Sequence, residues 1–304
     1  MTRDSSRFLP PDAVTRISRL DLRAREIVEG YLSGRHRSPY FGQSIEFVQH
    51  REYSSGDDPR RIDWKAWSKT DKYYIKQYEE ETNLRTLLLV DASESMLYAE
   101  KGITKYEYGA TIGMCLAYLL LKQQDAVGLL CFDDRVRSVV PQSSRKNHLQ
   151  SLQQGLMKEV PASKSNLLGI LSGVANDYAQ RGLIVLISDL LADVDGLLKG
   201  LNLLRHRGHE VMVLQILDDD ELDFPFAGST RFDGLEESGD LLCDPRALRE
   251  GYLKAMGDFQ TRIRRHCAGQ RIDFRVVRTG ESPDVVLADV LKDRLGMRGV
   301  KSGT

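Results

Sequence analysis

From Leu84 onward the chain alternates short, almost wholly apolar runs with longer stretches of helical periodicity. The apolar runs are Leu87-Leu88-Leu89-Val90, Ala126 to Phe132, Leu183 to Ile187 and Val211 to Leu217. Both faces of these runs are apolar, which is the mark of a parallel sheet covered by helices on both sides. Between and after them, Tyr106 to Lys122, Lys146 to Lys158, Leu167 to Tyr178 and Val194 to Arg205 read as amphipathic helices. The layer architecture that suits this alternation is a doubly wound α/β fold with a mostly parallel sheet.

The flanks differ in character. Val14, Ile17, Ala24, Ile27, Val28 and Tyr31 recur at three-to-four spacing, with Gly30 and Gly34 offering a stop, so an N-terminal helix is expected. His36 to Thr70 is turn-rich, and Tyr73 to Tyr78 alternates like a strand. Residues 1–83 thus read as an N-terminal extension and 84–297 as the α/β domain. Asp218 to Asp244, acidic and broken by Pro225, Gly228, Gly234 and Gly239, reads as a β-hairpin insertion. A helix over Pro245 to His266, a strand over Arg271 to Val277 and a helix over Asp284 to Leu295 complete the domain. Residues 298–304 read as a frayed tail.

Composition excludes several function classes. Lys and Arg number 43 against 44 Asp and Glu, so no global field draws the chain to nucleic acid or anionic lipid. Cys115, Cys131, Cys243 and Cys267 form no Cys-x-x-Cys pair, and Cys115 and Cys131, inside apolar runs, read as core side chains. Met1 to Pro11 is polar, without the apolar core of a signal peptide. Ile112 to Leu121 is the longest apolar stretch, about half of the ~20 residues a membrane helix needs. A cytoplasmic protein without membrane insertion is expected.

Two polar interruptions close apolar runs: Asp91-Ala92-Ser93-Glu94-Ser95 and Ser188-Asp189. In open parallel sheets ligands bind at such strand ends, near a topological switch point. Carboxylate and hydroxyl oxygens at alternate loop positions can face one point, and they are hard ligands suited to Mg²⁺ or Mn²⁺. Two neutral hydroxyls leave such an ion's charge poorly compensated, so it can accept a further carboxylate from a protein partner. The same residues allow a second reading, in which Asp91 or Ser93 caps the next helix through its first amides.

Asp91-x-Ser93-x-Ser95 after a buried strand, with Asp189 closing a later one, resembles the metal-ion-dependent adhesion site of von Willebrand factor A domains. The resemblance implies a further ligand from a Thr-Asn-Leu loop; here Ser163-Lys164-Ser165-Asn166-Leu167 puts Ser165 in the Thr position. A broader set of motifs stands in order ahead of Asp91: Ser38 to Gly42, Glu46-Phe47, Arg51 to Tyr53, Gly56 to Arg60 and Ile62 to Lys65. Together they resemble the domain-of-unknown-function 58 family of bacterial proteins, which carry a von Willebrand A-like domain. That resemblance implies a partnership with MoxR-type AAA+ ATPases and a role in protein assembly or metal-centre insertion. It also implies Asp91, Ser93, Ser95, Ser165 and Asp189 as the ligands of Mg²⁺ or Mn²⁺, with a partner's acidic residue completing the shell.

Other clusters read more plainly. Gly56-Asp57-Asp58-Pro59-Arg60 is turn chemistry, and its acids suit ion pairs with Arg51, Arg60 and Arg61. The alternative there is a recognition surface anchored by Trp64 or Trp67. Gly208 between His206 and His209 marks a helix end rather than a metal pair, and Arg262, Arg264, Arg265 and Arg271 suit a solvated face. The enzymatic alternative is phosphoryl transfer with Asp91 as nucleophile. Ser93 then stands where a general acid is needed, and a serine hydroxyl lacks a useful pKa for that task. A structural module with an empty site is the third reading. The expectation carried forward is a non-enzymatic, metal-dependent binding module.

Overall fold

The computed structural model describes residues 20–30, 50–52, 74–76, 84–99, 102–145, 147–157, 161, 163–226, 230–232, 241–243 and 245–291. The chain divides into two units, one of Met1–Ser33 with Leu84–Thr304 and one of Gly34–Asn83. In the second, β1 (His50–Glu52) pairs antiparallel with β2 (Tyr74–Lys76), within the strand expected over Tyr73 to Tyr78. The remainder of the motif block from Ser38 to Lys65 lies outside the described residues, as does the tail.

The larger unit is an α/β fold. Its elements are α1 (Leu20–Gly30), β3 (Arg85–Asp91), a 3₁₀ turn (Glu94–Leu97), α2 (Lys105–Lys122), β4 (Ala126–Phe132), β5 (Val136–Ser143), α3 (His148–Met157) and α4 (Leu167–Asp177). There follow β6 (Leu183–Ser188), α5 (Val194–His206), β7 (Glu210–Leu217), α6 (Asp219–Asp223), β8 (Thr230–Phe232), β9 (Leu241–Cys243), α7 (Pro245–Gly269) and β10 (Asp273–Arg278). A helix over 283–291, α8, closes the described chain. Strands β8 and β9 form the antiparallel hairpin expected in the insertion.

The six-stranded sheet runs in the order β10-β7-β6-β3-β4-β5, all parallel except β5, which lies antiparallel on β4. Chain order therefore reverses between β3 and β6, and that is the switch point. The two-residue period of a strand assigns its side chains to opposite faces. Leu88 and Val90 of β3 join Val185 and Ile187 of β6 in a core with Ala24, Val28, Leu152, Val286 and most buried residues of α2. On the other side, Leu87 and Leu89 of β3 join Ile184 and Leu186 of β6, together with Leu171, Leu201 and Ile263. Since α1 packs into the first core, the expected 1–83 extension divides, and its helix groups with the sheet.

Strand β5 has no counterpart in the sequence reading. Its residues are only partly covered, with Val136 and Val139 about half exposed, and Pro141 interrupts it. An edge strand tolerates proline and solvent on one side, so it lacks the continuous apolar run of its neighbours. At α5, the chain leaves the helix at His206 and turns through Gly208 at φ +87°, the helix end the sequence implied. Arg262, Arg264 and Arg265 are exposed on α7. Cys115, Cys131 and Cys267 are buried free thiols.

Helix α2 lies unusually close to the switch point because it carries glycine there. A Cβ on Gly109 would sit 2.9 Å from Cγ2 of Ile187 in β6. Gly109→Val should therefore push α2 off the sheet and cost about 1–3 kcal/mol. Gly173 of α4 faces open space, so Gly173→Ala should instead stabilise by roughly 0.5–1 kcal/mol through helix propensity. Urea denaturation midpoints of the two variants against wild type check both signs.

Candidate functional site at the switch point

Asp91 is the last residue of β3, and Ser188 and Asp189 stand at the end of the adjacent β6. All three are buried, with Asp91 and Ser188 at 0% exposure and Asp189 at 1%. Buried carboxylates require donors. The Ser93 amide donates to Oδ1 of Asp91 at 2.9 Å, and the Ser188 hydroxyl donates to Oδ2 at 2.6 Å. Burial pushes the Asp91 carboxyl up to about 7, with the negative charge of Asp189 acting in the same direction against these hydrogen bonds.

The hydroxyls of Ser93 and Ser95 lie 3.1 Å apart. Ser93 occupies the N-cap position of the 3₁₀ turn, but its side chain makes no capping bond. The following helix α2 is capped by Thr104, whose hydroxyl accepts from the Glu107 amide while Glu107 accepts from the Thr104 amide. Capping thus falls to residues outside the Asp-x-Ser-x-Ser stretch, and the Ser93 hydroxyl bonds both the Asp91 carboxylate and the Ser95 hydroxyl.

The Ser165 loop is tied to this stretch by the Glu94 amide, which donates to the Ser163 carbonyl at 3.0 Å. A second tie joins the Asn166 amide to the Asp133 carbonyl at 3.0 Å. Asp133, buried after β4, is held by Arg137, whose Nε donates at 2.6 Å. The Ser165 hydroxyl oxygen is itself buried and has no hydrogen-bond partner. A buried hydroxyl without a partner costs stability unless something else satisfies it.

Asp189 is held more elaborately. Its Oδ1 accepts from the Leu191 amide at 3.0 Å, and its carbonyl accepts from Nε2 of Gln215 at 3.0 Å. Between Asp189 and Leu191, Leu190 adopts φ +62° although it carries a side chain. That left-handed conformation costs about 1–2 kcal/mol. It is held by the Leu190 amide donating to the Ser188 hydroxyl at 2.9 Å and by burial of the Leu190 side chain.

The other Asp189 oxygen, Oδ2, accepts from Nζ of Lys105 at 2.8 Å, and the same ammonium donates to Oε1 of Glu221 at 2.7 Å. Lys105 is fully buried in the first turn of α2. Burial disfavours its charge, yet the two carboxylates outweigh that effect and hold its pKa above the ordinary lysine value. The position one turn before Gly109 places this ammonium over the end of β6.

The five residues singled out in the sequence thus stand on three segments. Asp91, Ser93 and Ser95 share one loop, and Asp189 stands at the end of the neighbouring strand, near enough for its charge to act on Asp91. Ser165 belongs to a loop tied to the first segment. Among the described residues, no three His, Cys, Asp or Glu side chains gather as a metal-ligand set. The candidate set is two carboxylates and three hydroxyls, a donor chemistry that fits a hard divalent ion, and the orphaned Ser165 oxygen is consistent with it. Lys105, Ser188, Gln215 and Glu221 were not singled out as site residues. Lys105 had a signal: Thr104-x-x-Glu107 marks it as a first-turn residue, where the helix dipole disfavours a cation.

Comparison with known proteins places this chain in a family. Residues 49–262 match the family described as protein of unknown function DUF58. The uncharacterized proteins Mb1516 of Mycobacterium bovis and Rv1480 of Mycobacterium tuberculosis are each 24% identical over 287 residues, covering 93% of this chain and 89% of theirs. Among solved structures, an aerotolerance-related membrane protein from Bacteroides fragilis aligns with a TM-score of 0.46 and 16% identity, covering 69% of this chain and 97% of that one. The conserved hypothetical protein BatB from Bacteroides thetaiotaomicron aligns with a TM-score of 0.44 and 15% identity, over 69% and 98%. Among the described residues of the present chain, no helix is long and apolar enough to cross a membrane. With 49–262 spanning more than half its length, the chain belongs to the bacterial DUF58 family of unknown function.

Proposed function

We propose that the switch-point site is a metal-dependent docking site for a protein partner, working in the cytoplasm and without catalysis of its own. In this reading Asp91, Ser93, Ser95, Ser165 and Asp189 hold Mg²⁺ or Mn²⁺. The observation that carries the reading is the Ser165 hydroxyl, buried without a partner on a loop tied through the Glu94 amide to the stretch that carries Ser93 and Ser95. When bound, the ion offers a coordination position to an acidic side chain of the partner. The chain's own part is to present oxygens already oriented by β3, β6 and their loops, which lowers the ordering cost of association. The resemblance noted in the sequence favours a MoxR-type AAA+ ATPase or its client as the partner, in protein assembly or maturation.

A binding role fits Ser93 better than phosphoryl transfer does. The position two residues after Asp91 would have to supply a proton, and here it carries a hydroxyl paired with Ser95.

Association of the purified protein with a MoxR-type ATPase from the same bacterium, measured by surface plasmon resonance in Mg²⁺ buffer, tests this reading. Asp91→Ala should abolish binding. Ser95→Ala, at a half-buried position whose hydroxyl meets Ser93, should weaken it at least about tenfold, or 1.4 kcal/mol. Wild-type affinity in both variants would overturn the proposal.

A further inference from the structure

Lys105 is an expensive residue for its position. Its ammonium is fully buried, it stands in the first turn of α2 where the helix end is already positive, and it holds two carboxylates at 2.8 and 2.7 Å. A buried ion pair of this kind is seldom more stabilising than apolar side chains of similar volume. Stability alone therefore gives little reason for it. Its place gives a better one, since Asp189 is both its partner and a member of the candidate metal set.

Charge arithmetic defines the role. Among these four groups, Asp91, Asp189 and Glu221 carry three negative charges when ionised, and Lys105 carries one positive charge, leaving two. That remainder matches a divalent cation. Without Lys105 these groups would carry three negative charges; without Glu221 the ammonium would be neutralised by Asp189 alone and only one would remain. Glu221 is fixed for its part by the Asp218 amide, which donates to Oε2 at 2.8 Å, and its backbone carbonyl accepts from the Tyr252 hydroxyl at 2.9 Å. Lys105 is fixed by the Thr104–Glu107 capping box at the start of its helix.

We propose that Lys105 is a built-in cation that shares Asp189 with the divalent-ion site, and that Glu221 is its counter-charge, so that the pair sets how strongly the site holds its ion. This rests on the metal reading given above. Lys105 and Glu221 are positioning residues: they act on the ion through Asp189 and through the local field. Two opposite variants must then move metal affinity in opposite directions, which a purely architectural ion pair would not do. Loss of architecture would weaken the site whichever partner was removed.

The test is Mn²⁺ binding to chelator-stripped protein, read from the electron paramagnetic resonance signal of the free ion. Lys105→Met should bind Mn²⁺ at least about tenfold more tightly than wild type, and Glu221→Gln at least about tenfold more weakly. The double variant Lys105→Met/Glu221→Gln, which restores the charge balance, should return to within about threefold of wild type. Near-UV circular dichroism establishes that each variant is folded; if Lys105→Met is not, Glu221→Gln and the double variant carry the test through their order of affinity. Wild-type binding with both single variants shifted in the same direction, or neither shifted, overturns the role of Lys105 and leaves the metal site standing. No Mn²⁺ binding by any of the proteins overturns the metal reading and this proposal with it.

Discussion

Two carboxylates buried at the ends of neighbouring parallel strands are the constraint on which the rest of this site depends. Asp91 and Asp189 close β3 and β6 at the point where chain order reverses, and neither reaches solvent. Charges so placed must be met by donors or by cations, or be neutralised. The surrounding structure supplies donors in detail: the Ser93 amide and Ser188 hydroxyl to one carboxylate, the Leu191 amide and Lys105 ammonium to the other. Leu190 accepts a left-handed backbone so that the turn after Asp189 can make these bonds.

Packing in the body of the fold serves that arrangement. The close approach of α2 at Gly109 brings its first turn over the end of β6, where Lys105 meets Asp189. From there Glu221 connects to α7 through Tyr252, and Asp218 connects to the residue after β10 through the Thr279 hydroxyl at 2.9 Å. The polar end of the sheet is thus one hydrogen-bonded assembly spanning β3, β6, β7 and β10. The hydroxyls of Ser95 and Ser165 lie outside it, while the Ser93 hydroxyl bonds both to the Asp91 carboxylate and to Ser95. The Ser165 hydroxyl meets nothing, which makes it the atom most suited to an added ligand.

Much of the fold was legible because β3, β4, β6 and β7 are covered on both faces, and such strands announce themselves as continuous apolar runs. Ala126 to Phe132 begins and ends in the structure where it does in the sequence, and Leu183 to Ile187 gains only Ser188. β5 was not legible, since a half-exposed edge strand with Pro141 has no apolar run to read. Asp91 and Asp189 could be picked out because each is a carboxylate ending a run of Leu, Ile and Val. Lys105 and Glu221 could not be joined to them from sequence: they lie 116 residues apart, on α2 and α6, and meet only in the folded chain. The N-terminal helix grouped with the sheet for a similar reason, as its apolar stripe finds its partners in the distant core around α2.

The metal site is tested most plainly by a calorimetric titration of Mg²⁺ into chelator-stripped wild type and Ser165→Ala. This substitution removes a buried hydroxyl that has no hydrogen bond to lose, so the fold should be untouched. A bound ion gives saturable heat for wild type and an affinity lower by at least about tenfold for Ser165→Ala. Equal affinities for the two proteins, or a flat trace for wild type under conditions where it is folded, would contradict the metal site.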